Sequence, residues 1–166
     1  VVGVVGFGPR VEVAVPPTRK GLRSEGLERR IASLRASSSG GTCFFDAVAE
    51  CLHLLGQPSI SDLGAPRWLV CLTDGDDLGS RMENAQGQQV SQMLEACASP
   101  NLNLVVITVG QLKLQNLQVI DSWARRVSAA GGVGRHLPQS DAAAIAGAFD
   151  VVAECLQAEL DGATEC

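Results

Sequence analysis

The sequence predicts a doubly wound α/β domain over residues 1–166, with a mostly parallel sheet, helices on both faces and an antiparallel hairpin at one edge. Three observations predict it. The runs Arg67 to Thr73 and Leu104 to Val109 are apolar almost throughout, the pattern of strands covered on both faces. Segments of helical period alternate with them. Near the start, the apolar run Val1 to Phe7 and the alternating run Val11 to Val15 flank Gly8-Pro9-Arg10, which reads as a hairpin turn.

Taken in order, Pro16-Pro17 is expected to end the second strand of that hairpin. Leu27, Ile31 and Leu34 then line one face of a short helix, and Ser37-Ser38-Ser39-Gly40-Gly41 makes a loop. Phe45, Val48, Leu52 and Leu55 mark a second helix stopped by Gly56. After the strand at 67–73, Ser80 and Glu83 form a capping box ahead of a helix that turns Val90, Met93, Leu94 and Cys97 inward. Leu117, Ile120, Trp123 and Val127 mark a helix after the strand ended by Gly110. Gly131-Gly132-Val133-Gly134 leads into a short strand at Arg135 to Leu137, and a closing helix buries Ile145, Phe149, Val152, Leu156 and Leu160.

With 46% hydrophobic residues the chain holds enough apolar surface for one core, and without Tyr that core is built from Val, Leu, Ile and Ala. A formal net charge of -5 argues against nucleic acid as the partner. No apolar run approaches the ~20 residues of a membrane span. The six cysteines show no CxxC spacing for zinc, and Cys51, Cys71, Cys97 and Cys155 sit in apolar strand or helix patterns. Free thiols and a cytoplasmic setting are therefore expected. The chain opens inside an apolar run with no initiator Met, which reads as a domain truncated at its N-terminus.

In open α/β sheets ligands bind beyond the C-terminal strand ends. Two segments fall there. Asp74 follows the 67–73 strand, with Gly75 turning the chain away, and Thr42 offers a hydroxyl where a helix begins. Carboxylate, hydroxyl and water are ligands of Mg²⁺. The plainer uses are an N-cap for Thr42 and an acidic turn for Asp74 to Asp77. An EF-hand is excluded, because Ala85 stands where that loop requires a bidentate Glu.

Gly40-Gly41-Thr42-Cys43-Phe44-Phe45-Asp46-Ala47-Val48 resembles the segment of von Willebrand factor type A domains that carries their metal-site threonine. Arg67 to Asp77, with Thr73-Asp74-Gly75, resembles their later strand ending in Thr-Asp-Gly. Val4-Val5-Gly6-Phe7 is similar to their second strand, and Gly131 to Leu137 followed by Ala148-Phe149 to their closing strand and helix. The resemblance implies a Rossmann-like fold and a protein-binding module, not an enzyme. It makes Thr42 and Asp74 ligands of a metal-ion-dependent adhesion site for Mg²⁺, Mn²⁺ or Ca²⁺, where a partner's acidic side chain completes the coordination. That family's Asp-x-Ser-x-Ser motif, which supplies the core ligands, is absent from these residues. The resemblance places it on a strand upstream of Val1, so this chain is expected to bind the cation weakly or not at all.

Four other readings compete. A haloacid-dehalogenase-like phosphotransferase needs Asp74 and Asp76 after an apolar strand, a hydroxyl such as Thr108 and a lysine such as Lys113. Against it, Leu78 stands where Thr or Val follows, and no second acidic motif completes the Mg²⁺ site. Gly3-Val4-Val5-Gly6-Phe7-Gly8 is no dinucleotide fingerprint, because a strand and not a helix follows. A metal-independent scaffold of the same fold needs neither Thr42 nor Asp74. For nucleophilic catalysis, no Ser or Cys pattern implicates His53 or His136.

Overall fold

A computed structural model describes residues 1–18, 25–33, 40–61, 63–74 and 76–162. Ser37, Ser38, Ser39, Gly75 and Leu34 of the readings above lie outside them, as do the Leu27 and Leu160 side chains. The chain is mixed α/β and forms two compact units, Val1–Leu63 with Asp77–Met93, and Gly64–Asp76 with Leu94–Cys166.

In the first unit, β1 (Val2–Phe7) pairs antiparallel with β2 (Val11–Thr18). The hairpin forms, but among the described residues it is a two-stranded sheet of its own and not an edge of the parallel sheet, and β2 continues through Pro16-Pro17. The register shifts between Val2↔Thr18 and Val4↔Val15, so the two prolines lie in a bulge where no regular ladder bond is required of them. Helix α1 spans Glu25–Ser33, and Ile31, expected inward, is 42% exposed. Helix α2 (Phe44–Leu55) carries the unit's core, with Phe44, Phe45, Ala47, Val48, Ala49 and Leu52 buried. Phe7 of β1 packs on Phe44 with ring centroids 5.6 Å apart. A short α3 (Pro58–Ser61) follows.

In the second unit, β3 (Arg67–Thr73), β4 (Leu102–Val109) and β5 (Gly134–Gln139) form a parallel sheet in the order β3-β4-β5. Register pairs Thr73 with Thr108 and Val106 with His136. Every β4 residue from Leu102 to Thr108 is buried, as its two-sided apolar sequence requires. Helix α5 (Leu114–Ala129) buries Ile120, Trp123, Ala124 and Val127. Helix α6 (Ala142–Gly162) places Ala148 and Val152 on Val105 and Ile107, with Trp68, Val70 and Leu137 around them. Strand alternation puts Val105 and Ile107 opposite Val106 and Thr108, so the two helices cover opposite faces of this sheet.

Two helical readings need correction. Phe149 and Leu156 of α6 are 43% and 37% exposed, while Ala148 and Val152 face the sheet. Val152 is buried as expected, and the inward face runs through Ala148 instead of Phe149 and Leu156. The capping box at Ser80 and Glu83 does not form either. Met82–Gly87 is a 3-10 turn, interrupted at Asn84, Ala85 and Gln86, and helix α4 starts only at Gln88 and runs to Cys97. Ser80 turns instead to Asp77 and α2, and Glu83 pairs with Arg81.

Among the described residues Cys43, Cys51, Cys71, Cys97 and Cys155 are free thiols. Burial, aided by the charge of Glu50, pushes Cys51 up to about 11. No helix among them is long and apolar enough to cross a membrane.

Candidate functional site

Thr42 precedes α2, but the helix does not use it as a cap. Cys43 is the N-cap residue and offers no side-chain cap hydrogen bond. First-turn N–H groups are answered from the loop at 77–84 instead. Asp77 Oδ1 accepts from the Phe45 N–H at 3.0 Å, and Ser80 Oγ accepts from the Asp46 N–H at 3.0 Å. The Ser80 hydroxyl donates in turn to Asp77 Oδ1 at 2.6 Å. A carboxylate at this position also opposes the positive end of the helix dipole. The N-cap reading of Thr42 is therefore overturned, since its role is filled by residues far along the chain.

Asp46 ties the same loop down from the helix side. Its Oδ2 accepts from the Arg81 N–H and from Arg81 Nε, and its Oδ1 accepts from Asn84 Nδ2 at 3.1 Å. Asp46 is 7% exposed and Asn84 is fully buried. The Thr42 carbonyl accepts from the Leu78 and Gly79 N–H groups. Cys43 Sγ donates to the Gly79 carbonyl at 3.0 Å, and burial, then the charges of Asp46 and Asp77, push that thiol up so that it stays a donor.

This leaves Thr42 half-buried with a hydroxyl that makes no hydrogen bond among the described residues. Asp74, in the other unit, is exposed immediately after β3, and its carboxylate is likewise uncommitted among the described residues. Asp76 is committed. Its Oδ1 accepts from the Lys113 N–H at 2.7 Å and from Asn116 Nδ2 at 2.9 Å, which caps α5. Of the acidic turn 74–77, then, Asp76 and Asp77 serve two helix starts, and Asp74 serves none. Among the described residues no three of His, Cys, Asp and Glu are grouped to hold a metal ion. Thr42 in one unit and Asp74 in the other each offer an oxygen of the hard chemistry that Mg²⁺ takes.

The second unit holds a constellation that sequence reading missed. Thr108 Oγ1 lies 2.9 Å from His136 Nε2, and His136 Nδ1 lies 2.6 Å from Asp121 Oδ1. The carboxylate only accepts, so Nδ1–H donates to Asp121, and a neutral imidazole then accepts at Nε2 from the Thr108 hydroxyl. The order hydroxyl, imidazole, carboxylate is that of a nucleophilic triad. Thr108, however, is 1% exposed, so its oxygen cannot meet a substrate. The row joins β4, β5 and α5 as a polar tie, buried at Thr108 and half-exposed at Asp121, beside a groove of about 370 Å³ lined by Asp121, Arg125, Ser128 and His136. The available signal was that Thr108 and His136 occupy same-face positions on adjacent strands, which requires knowing the register. Thr108→Val is expected to cost about 1–2 kcal/mol, since it leaves His136 Nε2 without a donor. Urea denaturation checks this, and an unchanged midpoint would show that the tie contributes nothing.

Of the phosphotransferase parts, Asp76 is held by α5 and Thr108 by His136, while Asp74 is uncommitted among the described residues. Compared with known proteins, the chain matches no family model and no curated protein.

Proposed function

We propose that this chain is a protein-binding module of the von Willebrand factor A type, with a Rossmann-like doubly wound sheet. Thr42 and Asp74 each contribute an oxygen to divalent-cation binding, and the partner is a protein carrying an acidic side chain. The observation that carries the reading is the sparing of Thr42. Asp77 and Ser80 do the capping that would otherwise explain a threonine at a helix start. Asp74 supports it in the same way, because its neighbours Asp76 and Asp77 have structural duties and it has none among the described residues. The order of the resembling segments, and a parallel sheet with helices on both faces, agree with that architecture.

When bound, the cation supplies a Lewis-acidic position to which a partner's carboxylate can coordinate. With so few protein ligands, Mg²⁺ keeps most of its waters and affinity is low. The test is a thermal melt of wild type, Thr42→Ala and Asp74→Ala, with a Mg²⁺ series and with chelator. At a cation concentration ten times Kd the wild type should gain roughly 3–5 °C. Neither variant should respond. A wild type indifferent to Mg²⁺, or variants that keep its full response, would leave a metal-independent scaffold as the better reading.

A further inference from the structure

We propose that the groove beside α5 and β5 binds a free α-amino acid in its zwitterionic form. The groove holds about 370 Å³, a volume that suits a small metabolite, and all the residues that line it belong to the second unit. Asp121, Arg125 and Ser128 stand at successive turns on one face of α5, with the small residues Ala124 and Gly134 beside them. An acid four residues before a base on a helix ordinarily pairs with it. Here it does not. Asp121 Oδ1 is turned to His136 Nδ1 at 2.6 Å, and the His136 side chain, 8% exposed and held at its other nitrogen by Thr108, fixes it there. Asp121 Oδ2 and the whole Arg125 guanidinium have no partner among the described residues.

What selects a zwitterion is that both charges are presented together. A ligand that is only an anion gains from Arg125 and loses to Asp121, and a ligand that is only a cation does the reverse. An α-amino acid satisfies both. Its ammonium donates to Asp121 Oδ2, and its carboxylate accepts from Arg125, whose fork can hold both oxygens. The two groups sit on one carbon, so with a contact of about 2.8 Å at each end the ligand spans the single helical turn from Asp121 to Arg125. Ser128 Oγ donates its proton to the Gly134 carbonyl at 3.1 Å, so toward the groove it only accepts, which suits a second ammonium proton. Because Asp121 and Arg125 are not bonded to each other, the ligand breaks no ion pair on entering.

The test is an amide NMR titration of the whole chain with L-alanine, a sufficient probe because the α-ammonium and α-carboxylate carry the recognition. Acetate and methylammonium are titrated separately as its two halves. The expected result is a saturable set of shifts within Asp121 to His136 for alanine, with each half binding about tenfold more weakly or worse, since it forgoes one charge-assisted contact. Arg125→Gln should weaken alanine binding by about the same factor, and its melting curve should match wild type because Arg125 is exposed and ties nothing among the described residues. Asp121→Asn removes the other charge at constant size and should weaken binding likewise. The proposal is overturned by the absence of shifts, by shifts outside the groove, by acetate binding as tightly as alanine, or by undiminished binding in Arg125→Gln. The groove uses neither Thr42 nor Asp74, so no outcome bears on Mg²⁺ binding, which is read from the melts of those variants.

Discussion

Gly134→Val is expected to cost about 3 kcal/mol or more, enough to remove most of the stability of a typical domain. Gly134 opens β5 where α5 crosses it. A Cβ built there falls on the carbonyl oxygen of Ala124, with the Ser128 hydroxyl also within 2.8 Å. The obstacle is helix backbone, which cannot rotate aside as a side chain can. Accommodating the new atoms means lifting α5 from the sheet, and Ile120, Trp123 and Val127, all fully buried, would lose contacts together. Gly147 in α6 provides the control of opposite sign. Nothing lies within 4 Å of a Cβ there, so Gly147→Ala should stabilise by up to about 1 kcal/mol through helix propensity. Urea midpoints of both variants check the pair. Equal effects would mean that the α5–β5 approach is looser than drawn.

Asp46→Ala is expected to cost about 3 kcal/mol, the second large effect. The substitution strips acceptors from the Arg81 N–H and Nε and from Asn84 Nδ2. Arg81 is 61% exposed on its side chain and can turn to water, so its share of the loss is small. Asn84 cannot. It is fully buried, and its Oδ1 already has no partner, so the variant leaves both ends of a buried amide unsatisfied. Glu83→Ala separates this from simple charge loss, because the Arg81–Glu83 pair is exposed on both sides and should contribute well under 1 kcal/mol. If the two variants unfold at the same denaturant concentration, the buried network is not what holds the 77–84 loop.

The parts of the fold legible in the sequence are those decided locally. The Arg67–Thr73 strand was readable to the residue, because an apolar run that long bounded by turn residues has few other solutions. The faces of α4 and α5 were readable from large apolar residues at helical steps, and Val90, Leu94, Ile120, Trp123 and Val127 are all buried. The face of α6 was not. In an alanine-rich helix the large residues need not be the inward ones, and Ala148 takes the place assigned to Phe149. Of the candidate site, Thr42 and Asp74 could be picked out by residue type and position at element ends. The duties of Asp76, Asp77 and Ser80 could not, because each is defined by a partner more than thirty residues away. His136 was set aside for the same reason, its partners lying 15 and 28 positions distant.

Borrowing the cap of α2 from residues 32 and 34 positions away has a kinetic side. A local cap is in place as soon as the helix turns, but this one arrives only when the intervening chain has closed, an entropic toll of ~3 kcal/mol for a loop of that length. The first turn of α2 therefore frays until the 77–84 loop docks. Non-local contacts of this kind lengthen the search for the native state and slow folding. The start of this helix is expected to be a late event in folding, although its apolar residues recur at helical steps.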